Sequence, residues 1–195
     1  MIYLKTIKEN INNELIIKNS RFITYLFKIV NVLEVSKILE EIKTLHPKAT
    51  HHCYAYIIGD YQKSSDDNEP ASTAGMPMLN VLLKNDLNNI LAITVRYFGG
   101  IKLGAGGLVR AYSSSVSKAL EHADIIELKE AVKLLVKLDY SRQKNFEYLI
   151  KDKTIISKNF DQDITYTLLI EKDSLNILEH YDYEILDNNC YIEKE

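Results

Sequence analysis

The sequence predicts an α+β protein with two domains. Its 195 residues suit one large domain or two small ones, at roughly 100–200 residues each. Segments with the periodicity of strands alternate with segments of helical periodicity along the chain. The pattern starts afresh at Ala131 without a Pro- or Gly-rich linker, so we place one domain over 1–129 and the second over 130–195.

The first part of the chain predicts strands followed by one long helix. RFITYLFKIV (21–30) is the clearest strand, and IYLKTI and ELIIK before it are weaker strand candidates. Asn31 is expected to cap a helix whose apolar stripe is Val35, Ile38, Leu39, Ile42 and Leu45. His46-Pro47 ends this helix, because the residue before a proline disfavours helical geometry.

The next elements lead up to a cluster of glycines. HHCYAYIIG (51–59) predicts a strand, and the polar stretch from Tyr61 to Gly75 predicts a loop. Pro77 is expected in the first turn of a short helix, MPMLNVLLKN. ILAITVRYF (90–98) is rich in β-branched and aromatic residues, as is typical of a strand.

Five of the seven glycines lie between Gly99 and Gly107, just before the predicted helix LVRAYSSSVSKALEHA. They predict a strand-to-helix turn, because glycine permits positive φ and close approach to the main chain. The start of a helix presents unpaired N–H groups and a positive dipole end, which suit an anion. The expected anion- or nucleic-acid-binding residues are Arg96, Gly99, Gly100, Lys102, Gly104, Gly106, Gly107 and Arg110. The alternative is that the glycines only allow tight helix-on-sheet packing.

From Ala131 the element order is β-α-β-β-α-β, the ferredoxin-like split βαβ arrangement. AVKLLVKLDY places alternate apolar residues from Val132 to Tyr140 on one face of a strand. Ser141 is expected to cap the helix that follows. The remaining segments are two strands, a helix and a closing strand: TIISKNF, DITYTLLIE, SLNILEHY and YEILDNNCYIE.

Composition describes an ordinary globular protein, with 46% hydrophobic and 26% charged residues. No apolar run is long enough to span a bilayer, and the N-terminus lacks the features of a signal peptide. Cys53 and Cys190 do not suggest a disulfide framework. We therefore expect a cytoplasmic protein without a membrane contact. Residues 1–130 carry a net charge of +1 and residues 131–195 one of −4, so a polyanion should prefer the N-terminal part.

Several residues outside the glycine turn could carry chemistry. Asp66, Asp67 and Glu69 could hold Mg²⁺ or act as acid–base groups, although a solvated or helix-capping loop is the favoured interpretation. His51 and His52 point to opposite faces of a strand, and the chain has no second Cys/His pair at zinc spacing. We therefore predict no metal, no cofactor and no catalytic residue, with these five residues in a supporting loop.

Aromatic residues flank the predicted turn. Tyr97, Phe98 and Tyr112 lie beside basic residues, and such aromatics can stack on nucleic-acid bases. Phe98 is expected in the core, which leaves the two tyrosines as the open cases.

Three motifs together resemble a known family. They are His51-His52-Cys53-Tyr54-Ala55, the stretch from Ser65 to Pro70 leading to Thr73–Leu79, and the stretch from Val95 to Tyr112. In this order and spacing they closely resemble the IMPACT family, including its bacterial YigZ branch. The resemblance covers Arg21 to about Tyr112, and the C-terminal part resembles the small ferredoxin-like domain of bacterial members.

The resemblance implies a fold and a field of activity. The N-terminal domain should be similar to a small-subunit ribosomal protein domain and to domain IV of elongation factor G, and the C-terminal domain to another domain of that factor. Eukaryotic members regulate translation. The resemblance therefore implies a link to translation and an affinity for structured RNA or the ribosome, and it brings no agreed catalytic residues.

The chain departs from the family pattern at three positions. Asn68 stands where the family usually has glycine, and asparagine also tolerates the left-handed conformation. Ser72 replaces a glycine that commonly precedes Thr-Ala-Gly. Met76 replaces a basic residue, and this loss weakens the case that the loop grips phosphate.

Two classes of function remain open, with a third beside them. The first is a translation-associated regulator that binds RNA or a ribosomal surface through the basic glycine turn. The alternative is a metal-assisted phosphoester or nucleotide hydrolase that uses the loop from Asp66 to Glu69. The third is a protein-interaction module whose acidic C-terminal domain contacts a protein partner. The oligomeric state is not predicted.

Overall fold

The computed structural model describes residues 3–194 and confirms the α+β class. The chain divides into two compact units. One holds Leu4–Ile126, and the other holds Tyr3 and the described residues from Glu127 onward. The boundary predicted at 129/130 falls inside strand β7 (Ile125–Leu138), which runs across this division.

The N-terminal part is built on a five-stranded antiparallel sheet with the order β2-β3-β6-β4-β5. Its helices are α1 (Val32–Leu45), α2 (Gly75–Lys84) and α3 (Ala105–Leu120). The strands up to α3 are β1 (Tyr3–Ile7), β2 (Ile11–Ile17), β3 (Ser20–Lys28), β4 (His51–Ile58), β5 (Tyr61–Ser65) and β6 (Ile90–Tyr97).

Strand β6 is the middle of this sheet and is buried on both faces. Ile90 and Ala92 join the core beneath α2 and α3, while Leu91, Ile93 and Val95 join the core beneath α1. A strand that is covered on both faces has a nearly continuous apolar sequence, and this pattern is the one from which β6 was predicted. The glycine turn therefore begins at the end of the most buried strand of the unit.

Helix α1 begins as its sequence predicts. The Asn31 side chain accepts a hydrogen bond from the backbone N–H of Leu33, and the Glu34 side chain accepts one from the Asn31 N–H, so the capping box is complete. The predicted stripe is shorter than expected, because Leu45 is exposed.

The stretch predicted as a loop from Tyr61 to Gly75 contains a strand, and the prediction is wrong there. β5 (Tyr61–Ser65) forms a hairpin with β4 through Gly59, which has a φ of 55°. The segment YQKSS is polar because β5 lies at the edge of the sheet, where it is mostly exposed. An edge strand of this kind lacks the apolar alternation by which a strand is usually detected.

The C-terminal unit has four antiparallel strands in the order β10-β7-β9-β8, and β1 also neighbours β7 in this sheet. Its further elements are α4 (Gln143–Leu149), β8 (Thr154–Phe160), β9 (Ile164–Glu171) and β10 (Tyr183–Glu193). The core combines one face of β7 and β9 with Phe146, Ile150 and Leu178. The predicted β-α-β-β-α-β order is present, although a 3₁₀ segment, Lys172–Leu178, takes the place of the second α-helix.

Two details of this unit differ from the prediction. Asp139 rather than Ser141 is the cap, because its side chain accepts the Ser141 N–H at 2.9 Å. Tyr140 leaves the apolar face of β7 and is exposed, since the strand ends at Leu138 and a short 3₁₀ turn follows. Among the helices between residues 3 and 194, none has the length and apolar character needed to cross a membrane.

Candidate nucleic-acid interface

The glycine turn joins β6 to α3 and leaves the start of the helix open to solvent. Gly104 precedes the helix with φ 71° and ψ 166°, and no side chain caps it. Gly104, Ala105 and Gly106 are all exposed. Because the first N–H groups of a helix have no partner within it, this geometry offers donors to an external acceptor.

The glycines of the turn have different roles. A Cβ on Gly99 would lie 2.0 Å from the backbone carbon of Asn19, so this glycine packs against the β2–β3 hairpin. Gly107 is also confined, because its Cβ would meet Leu103 at 3.0 Å. Gly100 and Gly104 have positive φ values of 83° and 71°, and both have open space where a Cβ would stand. Gly106 faces only the Arg110 guanidinium, at 3.7 Å.

Lys102 and Arg110 carry the exposed positive charge of this surface. The Arg110 side chain lies back along the first turn of α3, as its distance to Gly106 shows. Of the ion pairs formed within residues 3–194, none includes Lys18, Lys102 or Arg110. Their charges are therefore not neutralised by a carboxylate of the described chain.

Lys18 is a basic residue that the sequence analysis missed. It is exposed at the tip of the β2–β3 hairpin, next to Asn19, and the Asn19 backbone packs against Gly99. The left-handed φ values of Lys18 and Asn19 mark this hairpin turn. Only the pairing of β3 with β6 brings it beside the glycine turn, so spacing along the chain gave no signal for it.

Arg96 does not belong to the exposed basic surface, which corrects its expected role. Its side chain is 6% exposed, and its Nη1 donates to Glu69 Oε1 at 2.5 Å. Glu69 is also buried and accepts a hydrogen bond of 2.8 Å from the Tyr112 hydroxyl. His51 Nε2 lies 3.8 Å from the same carboxylate oxygen. These residues form a buried polar cluster in which the arginine charge is paired internally.

The other two carboxylates belong to Asp66 and Asp67, in the loop from Asp66 to Glu69 that we call the acidic loop. Both accept backbone hydrogen bonds that hold this loop in place. Asp66 accepts hydrogen bonds from the backbone N–H groups of Ser72, Ala74 and Gly75 at 2.7–2.9 Å, and so caps the start of α2. Asp67 accepts the His52 N–H at 2.6 Å. Among residues 3–194 no three His, Cys, Asp or Glu side chains are grouped to hold a metal ion. The capping role matches the favoured interpretation of this loop.

The two histidines of β4 point to opposite faces of the sheet, as the alternation of side chains along a strand predicts. His51 Nδ1 lies 2.8 Å from the Asp67 carbonyl and Cys53 Sγ donates to the Asp66 carbonyl, so both face the acidic loop. His52 Nε2 instead lies 3.2 Å from the His46 carbonyl at the end of α1. Burial raises the pKa of the Cys53 thiol, which therefore stays protonated and is a poor nucleophile.

Asn68 and Ser72, two of the departures from the family pattern, both have left-handed backbone conformations. Asn68 has a φ of 66°, in the left-handed region that asparagine tolerates. Ser72 also has a positive φ, of 60°, a conformation that glycine adopts at lower cost than other residues.

The exposed aromatic residue of the turn is Phe98, and its expected burial is wrong. Phe98 is 47% exposed. Tyr112 is fully buried, and burial raises the pKa of its hydroxyl. Tyr97 is half-buried, and its hydroxyl lies 2.9 Å from His46 Nδ1. Neither tyrosine is therefore as available to a ligand as Phe98.

Comparison with known proteins agrees with the motifs. The Impact N-terminal domain matches residues 18–120. The IMPACT family member YvyE of Bacillus subtilis is 36% identical over 97% of this chain and 89% of its own length. The IMPACT family member YigZ of Escherichia coli is 38% identical over 74% of each chain.

A solved structure described as a hypothetical protein covers the whole chain, with a TM-score of 0.69 and 30% identity. Both the sequence and the fold therefore extend the likeness beyond the N-terminal motifs. From the matched domain and from relatives aligned over most of its length, the chain belongs to the IMPACT family.

Proposed function

We propose that this protein is a translation-associated regulator that binds RNA or a ribosomal RNA surface through the turn between β6 and α3. One observation carries the proposal: the uncapped, exposed start of α3 lies beside Lys102 and Arg110, which form no ion pair with a carboxylate of residues 3–194. Membership of the IMPACT family supports the link to translation.

The chemistry of this turn suits a phosphate group. Main-chain N–H groups at a helix start donate to phosphate oxygens, and the helix dipole favours their negative charge. Lys102 and Arg110 add a charge attraction that does not depend on nucleotide sequence. Such a surface positions an RNA backbone without reading the bases directly.

The internal partners of the acidic loop argue against the hydrolase. Glu69 is buried against Arg96 and Tyr112, and the Asp66 carboxylate is occupied by three backbone N–H groups. A carboxylate that accepts backbone N–H groups at a helix start, or that pairs with a buried arginine, is not free to activate water. Contact of residues 131–195 with a protein partner stays a prediction from their net charge of −4.

Sedimentation of the purified full chain with ribosomal particles in sucrose gradients tests the proposal. We expect co-sedimentation at low salt and its loss at high salt, because binding that neutralises phosphates weakens as salt rises. The double variant Lys102→Glu/Arg110→Glu should stay at the top of the gradient at both salt concentrations.

The matched control is Lys37→Glu/Lys48→Glu, which makes the same charge change at two exposed residues of the α1 region. This control should sediment like the wild type. If the Lys102/Arg110 double variant co-sediments as well as the wild type, the assignment of the binding surface to this turn is wrong.

A further inference from the structure

Phe98 is an exposed apolar ring at the end of a buried strand. The last two residues of β6 precede it: Arg96, which is buried, and Tyr97, which is half-buried and whose hydroxyl lies 2.9 Å from His46 Nδ1. The Phe98 backbone N–H donates to Thr50 Oγ1 at 3.2 Å, which anchors the residue. Core packing therefore does not account for the exposed ring.

Arg96 holds the ring of Phe98, and Lys102 in the same turn supplies exposed positive charge. The Arg96 guanidinium carbon lies 5.6 Å from the centre of the ring, within the range of a cation–π contact. The salt bridge with Glu69 fixes that guanidinium in turn. Lys102 follows four residues later in the same exposed turn, beside Ile101, which is 46% exposed.

A positively charged turn with an exposed aromatic ring complements a single-stranded nucleic acid. The cations attract phosphates, and the ring offers a flat face on which a base can stack. A purely apolar protein partner would leave the Lys102 and Arg110 charges unmatched at its edge. A base with its own phosphate satisfies both features at once.

We propose that Phe98 is a stacking platform for an unpaired RNA base, so that the surface selects single-stranded or looped RNA over a continuous duplex. The inference rests on the proposed function, because it takes the phosphates of the same RNA to lie at Lys102 and Arg110. A base inside a duplex is stacked on its neighbours and cannot reach the ring, which explains the expected preference.

The test measures binding of the full chain to three labelled probes by fluorescence anisotropy. The probes are a short oligoadenylate, an abasic RNA strand of equal length, and a blunt RNA duplex. The abasic strand keeps the phosphates but offers no base. We expect the wild type to bind oligoadenylate roughly 5- to 150-fold more tightly than the abasic strand, the range that stacking of one base supports.

Two substitutions of Phe98 separate stacking from apolar contact. Phe98→Leu should lose the preference for oligoadenylate and bind the abasic strand as the wild type does. Phe98→Tyr keeps an aromatic face and should retain the preference. Tyr61→Leu is the matched control, because Tyr61 is an exposed aromatic residue at the opposite end of the sheet, and it should change nothing.

The outcomes distinguish the two proposals. If the wild type binds none of the probes and no ribosomal particle, the proposed function fails. If it binds oligoadenylate, the abasic strand and the duplex equally, the phosphate surface stands and the stacking role is overturned. Stacking is also overturned if Phe98→Leu keeps the preference, or if it weakens both single strands equally. Retention of the preference by Phe98→Leu would instead show that an aromatic ring at this position is not needed for contact with the bases.

Discussion

At the scale of single residues, Glu69 and Arg96 show how burial changes what a charge does. They stand 27 residues apart in the chain and meet in a pair whose side chains are 3% and 6% exposed. Removing two charges from water costs free energy, and their mutual attraction offsets this cost only while both partners are present. The Tyr112 hydroxyl adds a third contact to the same carboxylate.

Replacing the buried carboxylate should therefore destabilise the protein strongly. We expect Glu69→Gln to lower the free energy of unfolding by about 3–5 kcal/mol, because it leaves the Arg96 charge buried without its partner. Urea denaturation measures the change. The matched control is Glu14→Gln, which breaks the exposed pair with Arg21 and should cost no more than about 1 kcal/mol. Equal losses in the two variants would contradict the burial of the Arg96 charge.

Glu147 gives a prediction for acid pH. A hydrogen bond from Lys158, which has the larger effect, and one from Tyr166 lower the pKa of Glu147 from an ordinary 4.5 to about 2 in the folded protein. Because the folded-state pKa is depressed, the stabilisation is present above pH 4.5 and is lost as the pH falls towards 2.

We accordingly expect Glu147→Gln to be less stable than the wild type at neutral pH and to approach it below about pH 3. Urea denaturation at a series of pH values measures this convergence. Glu40→Gln, at an exposed position of α1, is the control for the removal of a surface carboxylate. A stability gap that stays constant down to pH 2 would show that the Lys158 and Tyr166 contacts do not hold this carboxylate ionised.

At the scale of elements, the start of α3 brings together glycines with opposite requirements. Gly99 is needed for packing, since a Cβ there would collide with the Asn19 backbone. Gly106 has no such constraint, and its nearest neighbour is the flexible end of Arg110. A helical glycine that packing does not require keeps the main chain accessible at some cost in stability.

Substitution by alanine should therefore have opposite effects at these two glycines. We expect Gly106→Ala to raise the free energy of unfolding by about 0.5–1 kcal/mol, because alanine favours the helix. The same variant should bind oligoadenylate more weakly, since the new methyl group stands at the helix start. Gly99→Ala should lower the unfolding temperature markedly. If Gly106→Ala is stabilised and binds RNA undiminished, close approach of the ligand to this residue is excluded.

At the scale of the whole molecule, a net charge of −3 conceals a local basic surface. Lys18, Lys102 and Arg110 are exposed around the glycine turn, while all of the net negative charge comes from residues 131–195. Because screening limits charge interactions to about 10 Å at moderate salt, the local surface rather than the net charge controls binding of an anion.

The number of charges in contact can be read from the salt dependence of binding. We expect Lys18→Gln, Lys102→Gln and Arg110→Gln each to reduce the slope of log affinity against log salt by about 0.7 for single-stranded RNA. Lys37→Gln, on the exposed side of α1, should leave the slope unchanged. Fluorescence anisotropy over a salt series measures it. An unchanged slope for Lys18→Gln would show that the β2–β3 hairpin does not contact the RNA phosphates.

Most elements could be predicted because each has a local cause. The Asn31 capping box, the apolar run of β6 and the glycines before α3 all act within a few residues. The failures have non-local causes. β5 is a polar strand that is paired with β4. Phe98 is exposed and lies just beyond the last residue of β6 that pairs with a neighbouring strand.

The sequence alone determined the order of most elements, the position of the glycine turn and the family, because helix caps, apolar strand runs and turns depend on neighbouring residues. The tertiary structure decided which charges are available. Pairing of β3, β4 and β6 brings Lys18 beside the turn and buries Arg96 against Glu69. Burial and ion pairing depend on residues far apart in the chain, and these contacts alone distinguish a cation that stabilises the core from one that can meet a ligand.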